Sequence, residues 1–281
     1  MSLPWSSSLL LQVGPEGIVA ALETGWPRRR RVVASSVSAA KPPLEPSHER
    51  SPAVVDAEAL QSVLDEIELT MPLRGAHLVV EVADPLVHFD VAEGDFGASG
   101  DRQLQAIAAA CMGELLGDAA ADHEVRWSLQ AGARHLVIAA LPRVLIAALV
   151  AAADLRGLRL DSVAPAFARR WNAFARDLGV PTAVFASTSG PHAVVSCVVD
   201  RALCAVSTGP WQDGGGATPD GSSHPSAAGE LALLDERAAR LLSGLGIEPS
   251  EACACLLVSA DAAAGVTSSR WTVVAPSGVS A

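Results

Sequence analysis

Histidines, cysteines and carboxylates are the residues from which a site could be built in this chain, and their spacing decides what they can do. His77 and His88 fall on neighbouring strand-forming runs, and Asp122-His123-Glu124 sets an imidazole between two carboxylates. Such pairs can move protons or ligate a metal, but surface and hairpin positions explain both groups more simply. Cys253-Ala254-Cys255 puts two thiols on one face of a strand, yet a four-ligand zinc site needs partners that no nearby Cys or His pair supplies. Core packing accounts for them. Ser187, Ser189 and His192 surround a turn, but there is no GxSxG elbow to present a nucleophile. Gly214-Gly215-Gly216 follows a strand and precedes a helix, as a phosphate loop would. It lacks both the Walker lysine and the compact GxGxxG spacing, which leaves a flexible loop. Trp171 and Phe174, at helical spacing, read as core, whereas Trp211 beside the glycines is a candidate partner contact. No catalytic constellation assembles from these residues.

Composition narrows the class. The 281 residues are 50% hydrophobic and 18% charged, with mean hydropathy +0.32, which excludes a disordered or fibrous chain and predicts one or two compact domains. Thirty-one acidic against 20 basic residues give a net charge of −11. The balance opposes binding to a phosphate backbone, and with 4% aromatics and no tyrosine there is no base-stacking platform, so no nucleic-acid partner is expected. Arg28-Arg29-Arg30-Arg31, the one basic cluster, reads as a solvated hairpin end. Five scattered cysteines suit reduced thiols in a cytoplasmic protein, and the opening residues do not resemble a signal peptide. The longest apolar run, Leu136 to Ala153, contains Pro142 and Arg143 and divides into a strand, a break and a helix. No direct membrane insertion is therefore expected.

The elements alternate. Apolar runs Leu9 to Val13 and Ile18 to Leu22 flank Gly14-Pro15-Glu16-Gly17 as a tight hairpin, and a third strand follows at Arg31 to Val37. A proline-rich linker, Ser38 to Pro52, leads to a helix from an Asp56 cap to Glu68, with Leu60, Val63, Leu64 and Ile67 on its apolar stripe. Strands at Ala76 to Val82 and Leu86 to Val91 precede a helix from Asp101 to Leu116, whose buried face is expected to carry Leu104, Ile107, Ala108, Cys111 and Leu115. Strands at Glu124 to Leu129 and Arg134 to Leu141, a helix opened by Pro142, a strand from Leu158 to Val163 and a helix from Pro165 to Leu178 complete the first part. The pattern then restarts. Thr182 to Ser187, Ala193 to Val199 and Ala202 to Ser207 form a second three-strand meander, followed by a mobile loop at 212–228. A helix from Glu230 to Leu242, with Leu231, Leu234, Ala238 and Leu241 inward, and strands at Cys253 to Ser259 and Trp271 to Val274 end the chain. The repetition argues for a duplicated α/β protein.

A strand, a glycine turn and a second strand, repeated in the second half, resemble the phosphate-binding hairpins of the actin-like ATPase superfamily. Leu78 to Val91, the helix near Leu104, Ala119 to Arg126, the helix after Pro142, and Leu158 to Pro165 followed by Trp171-Asn172 look like bacterial PilM-like proteins and the cytoplasmic part of the type II secretion L protein (GspL-like). The resemblance implies a duplicated RNase H-like, two-lobed fold with mixed sheets. Lobes are expected at 1–165 and 166–281. It also implies, for pilus members, ATP with Mg between the lobes and an aspartate in the first hairpin's Asp-x-Gly turn. Here that run is Gln12-Val13-Gly14, and the second turn, Ser187-Thr188-Ser189-Gly190, also has no acid. A neutral amide cannot supply a carboxylate's charge to hydrated Mg²⁺. Gln12, Gly14, Ser187 and Gly190 are thus expected to be degenerate phosphate-loop positions. The expectation is a cytoplasmic pseudo-ATPase with no cofactor, a scaffold for protein partners in a pilus or secretion assembly, with homo-oligomers left open. The alternative is an ATP-binding actin-like ATPase or kinase-like enzyme with an atypical phosphate site.

Overall fold

The computed structural model describes residues 8–15, 17–24, 29–37, 57–70, 72–175, 178–189, 192–210, 227–248, 254–259 and 271–273. Its elements in chain order begin with β1 (Ser8–Gly14), β2 (Gly17–Thr24), β3 (Arg29–Val37), α1 (Ala57–Thr70), β4 (His77–Val82), β5 (His88–Glu93) and α2 (Asp101–Leu116). There follow β6 (His123–Leu129), β7 (His135–Pro142), α3 (Arg143–Arg156), β8 (Arg159–Pro165) and α4 (Ala166–Phe174). The last are β9 (Thr182–Ser189), β10 (His192–Val199), β11 (Ala202–Pro210), α5 (Ala227–Gly244), β12 (Ala254–Ser259) and β13 (Trp271–Val273). The proline-rich linker, the Asp56 cap, Trp211 and nearly all of the loop expected at 212–228 lie outside the described residues.

Two compact units result, one holding the described residues up to Val87 with Leu141–Arg169, the other His88–Ala140 with those from Arg170 onward. In the first, β1, β2 and β3 form an antiparallel meander, and β4 and β8 add in parallel, giving the order β3-β2-β1-β4-β8. Central β1 buries Leu9, Leu10 and Leu11 in succession, because a strand covered on both faces has no polar side to alternate with. On α1 the expected stripe of Leu60, Val63, Leu64 and Ile67 is buried, and the helix lies against β2 and β3. Leu145, Leu149, Ala152 and Ala153 are the buried residues of α3, which ends on Gly157 in the left-handed region (φ 62°), its N–H returned to the carbonyls of Ala153 and Asp154.

The second unit repeats that strand order as β11-β10-β9-β12-β13, again a meander with parallel additions. Asp200 and Arg201, both at positive φ (50° and 67°), make the two-residue turn from β10 to β11. Leu231, Leu234, Ala238 and Leu242 of α5 pack on Val184, Ala186, Val195 and Cys197. Leu242, rather than the expected Leu241, completes the stripe; Leu241 is half-buried. A smaller sheet, β5-β7-β6, carries α2 through Leu104, Ala108 and Met112 against Val125, Leu136, Ile138 and Ala140. Leu115, expected inward, sits in the last turn of α2 and is exposed. β5 lies against β11, and the Leu203 N–H donates to Gln130 Oε1 at 3.3 Å. These contacts associate His88–Ala140 with the second unit, a different division from a single cut after 165. In α4, Phe167 and Trp171 are buried and Phe174 half-buried, and the helix stops well short of Leu178.

Candidate functional site

The first hairpin closes on a Gly14 to Gly17 pair, and a Cβ at Gly14 would stand 3.4 Å from that of Ala83. The Ala83 N–H donates to the Val13 carbonyl at 2.8 Å, so the turn is tied to the end of β4. Gln12 lies opposite Glu81 in the parallel β1–β4 register, and its Nε2 donates to Glu81 Oε1 at 3.2 Å. Glu81 is only 7% exposed, and its other oxygen pairs with Arg169 Nε at 3.5 Å. A buried carboxylate survives only if paired and hydrogen-bonded, and here an amide and a guanidinium share that task. Arg169 is delivered by α4. The start of this helix is fixed by buried Asp84, whose Oδ1 accepts the Phe167 N–H at 2.8 Å and supplies a helix-start acceptor across 83 residues of sequence.

At the second hairpin Arg170 Nη1 donates to Ser187 Oγ and to the Thr188 carbonyl, both at 2.7 Å. Ser187 and Thr188 are buried. The Ser187 hydroxyl oxygen thus accepts a hydrogen bond from a guanidinium, and His192 stands opposite Ser189 in the ladder while Val194 stands opposite Ser187. Gly190 lies outside the described residues.

The histidines separate. His77 Nδ1 lies 2.9 Å from Asp161 Oδ2 at an exposed position of the first unit. His88 belongs to the second, edge to face with His123 at a centroid distance of 5.2 Å. Burial, and then the neighbouring His123, push the His88 pKa below its ordinary value. His123 is buried; its Nδ1 donates to the Ala119 carbonyl at 2.8 Å, while its Nε2 has no hydrogen-bond partner among the described residues. Burial pushes the Cys197 thiol up to about 11, and burial is also the main cause of an upward shift at Cys204, 3.7 Å from His135 Nδ1. Inert, protonated thiols are the result. Cys253 lies outside the described residues, and no group of three or more His, Cys, Asp or Glu side chains suited to a metal ion occurs among the described ones.

Sequence reasoning found Gln12, Gly14 and Ser187 but missed Glu81, Asp84, Arg169 and Arg170. One signal was available for Glu81: it is the single carboxylate in the strand His-Leu-Val-Val-Glu-Val, set within an apolar run. Among the described residues, the side chains that meet beside the first turn are a neutral amide and a carboxylate already answered by Arg169. These side chains do not fit a hydrated magnesium ion, which draws on free carboxylate charge.

No family model and no curated protein matches the chain. Solved structures do. The cytoplasmic domain of EpsL, an inner membrane component of the type II secretion system of Vibrio cholerae, superposes with a TM-score of 0.54 at 16% identity, over 98% of this chain and 91% of that one. The PilM-PilN type IV pilus biogenesis complex matches with a TM-score of 0.57 at 15% identity, over 92% and 82%. A Bacteroides thetaiotaomicron protein of unknown function with an actin-like ATPase fold matches at 0.53 and 9% identity, over 96% and 91%. The fold is actin-like. The repeated strand order of the two five-stranded sheets is the duplication expected of it. Among the described residues the helical stretch Asp101–Asp122 is long and apolar enough to cross a membrane by length and composition; Leu104, Ala108 and Met112 hold it on a sheet.

Proposed function

We propose that this chain is a non-catalytic actin-like scaffold that works in the cytoplasm, through protein partners, within a pilus or type II secretion-like assembly. The observation carrying the non-catalytic part is the Gln12–Glu81–Arg169 arrangement. A carboxylate at position 12 would face Glu81 directly across the ladder, so the first hairpin is built around a neutral residue there. With Gln12 neutral and Glu81 answered by Arg169, neither of these two facing side chains offers a free carboxylate for organising a metal–phosphate group. Support for the assembly role comes from the likeness to an EpsL domain from a type II secretion system and to a PilM-PilN complex.

The melting temperature with and without millimolar Mg-ATP or Mg-ADP tests this reading. A ligand at 100 times its dissociation constant adds about 2.7 kcal/mol to native stability. The expected result is no shift with either nucleotide. An upward shift accompanied by release of inorganic phosphate would replace the scaffold with an ATPase that has an atypical phosphate site.

A further inference from the structure

Helix α3 reads Arg-Val-Leu-Ile-Ala-Ala-Leu-Val-Ala-Ala-Ala-Asp-Leu-Arg, and between Arg143 and Asp154 it has no polar residue on any side. A helix apolar all round is normally covered all round. Only one half of α3 is. Leu145, Leu149, Ala152 and Ala153 are buried, while Val144 is 59% exposed, Val150 42% and Leu155 75%, with Ala147 and Ala151 exposed between them. Leu69 near the end of neighbouring α1 is also exposed. Soluble surfaces seldom leave a contiguous apolar face of this kind uncovered.

The two charges on the exposed face say what covers it. Arg143 stands at the first turn and Asp154 at the last, both exposed, with the apolar residues between them. When a second copy of the helix is laid antiparallel on the first, Arg143 of each meets Asp154 of the other, and Ala147 meets Val150 and Ala151. The face is complementary to itself under a two-fold rotation, the condition an isologous interface must satisfy. Small Ala147 and Ala151 at its middle allow close approach of the axes, and the two ion pairs fix direction and register. We propose that α3 is a homodimerisation surface, pairing antiparallel with α3 of a second copy of this chain. Fourteen residues span about 21 Å, so the interface falls toward the small end of specific ones, below ~1,200 Å² in total. The dimer is accordingly reversible. Because the surface stands apart from the Gln12 turn in sequence and in composition, its failure would leave the scaffold reading untouched.

Sedimentation velocity of the full chain, from about 1 to about 300 μM, reads the association directly. The expected result is a monomer–dimer equilibrium that Ala147→Glu weakens at least about tenfold while the far-UV spectrum and melting temperature hold. Arg143→Glu and Asp154→Arg should each weaken it, and the double variant Arg143→Glu/Asp154→Arg should restore it, since both intermolecular pairs then reform reversed. Monomer throughout, or a dimer indifferent to Ala147→Glu, overturns the proposal. So does a double variant no tighter than the singles, which denies the antiparallel register. Binding of the monomer to phospholipid vesicles, abolished by Ala147→Glu, would also overturn it by assigning the face to a membrane surface.

Discussion

Consecutive arginines, Arg169 and Arg170, each secure one hairpin, but they do so by different physics. In the first unit Arg169 answers a buried carboxylate that Gln12 also holds; in the second, Arg170 answers a hydroxyl and a backbone carbonyl, with no opposing charge on it among the described residues. The first arrangement is expensive to break, because removing the arginine strands a buried carboxylate. The second is cheaper, since the groups left behind are neutral. Duplicated topology has thus been retained while the electrostatics at equivalent turns diverged.

The largest effect expected from breaking this contrast is at Arg169. Arg169→Met should cost about 3 kcal/mol in chemical denaturation, the order of penalty for leaving a buried carboxylate without its cation, and adding Glu81→Gln should recover most of it. A double variant as unstable as the single would show that the arginine acts through packing rather than charge. Arg170→Met should cost less, about 1.5 kcal/mol for a charged hydrogen-bond donor lost from neutral acceptors. Its cost should not fall when combined with Glu81→Gln, because its acceptors lie on β9.

Acid should separate the units further, by the smallest margin. Folding lowers the His88 pKa, so the unfolded chain takes up this proton more readily than the folded one. Stability from this group is whole above the unfolded value of about 6.5 and declines as pH falls below it toward the folded value. Amide hydrogen exchange along β5 and β7 should therefore quicken, relative to the intrinsic rate, between pH 7.5 and 5.5, with β1 and β4 less affected, and His88→Gln should flatten the change. Equal acceleration in all four strands would remove His88 as its cause.

Much of this architecture could be read from the residues. Alternation and apolar runs located the strands of both meanders, and the Leu60-Val63-Leu64-Ile67 stripe located α1, because these signals are local. The failures are also local in character. Leu115 has the right helical angle but sits in a terminal turn, and the choice between Leu241 and Leu242 depends on where α5 meets its sheet. Gln12 was legible as a missing carboxylate. Its partner was not: Glu81 is 69 residues away and Arg169 farther still, and only the parallel pairing of β1 with β4 brings the first two together. Asp84, which fixes the start of α4, was hidden in the same way behind an Asp-Pro dipeptide that reads as an ordinary turn.

That long parallel pairing has a consequence for the nascent chain. The Leu9-Leu10-Leu11 edge of the first hairpin can close against β2 almost as soon as it leaves the ribosome, but the opposite edge waits for its β4 partner, where Ser8 pairs with His77. At ~5–20 residues per second the delay is on the order of several seconds. Throughout it an apolar strand with open N–H and C=O groups is available to any neighbouring chain. The interval makes β1 one segment that a holding chaperone would protect, and β9, which waits in the same way for β12, is the other central strand of this kind.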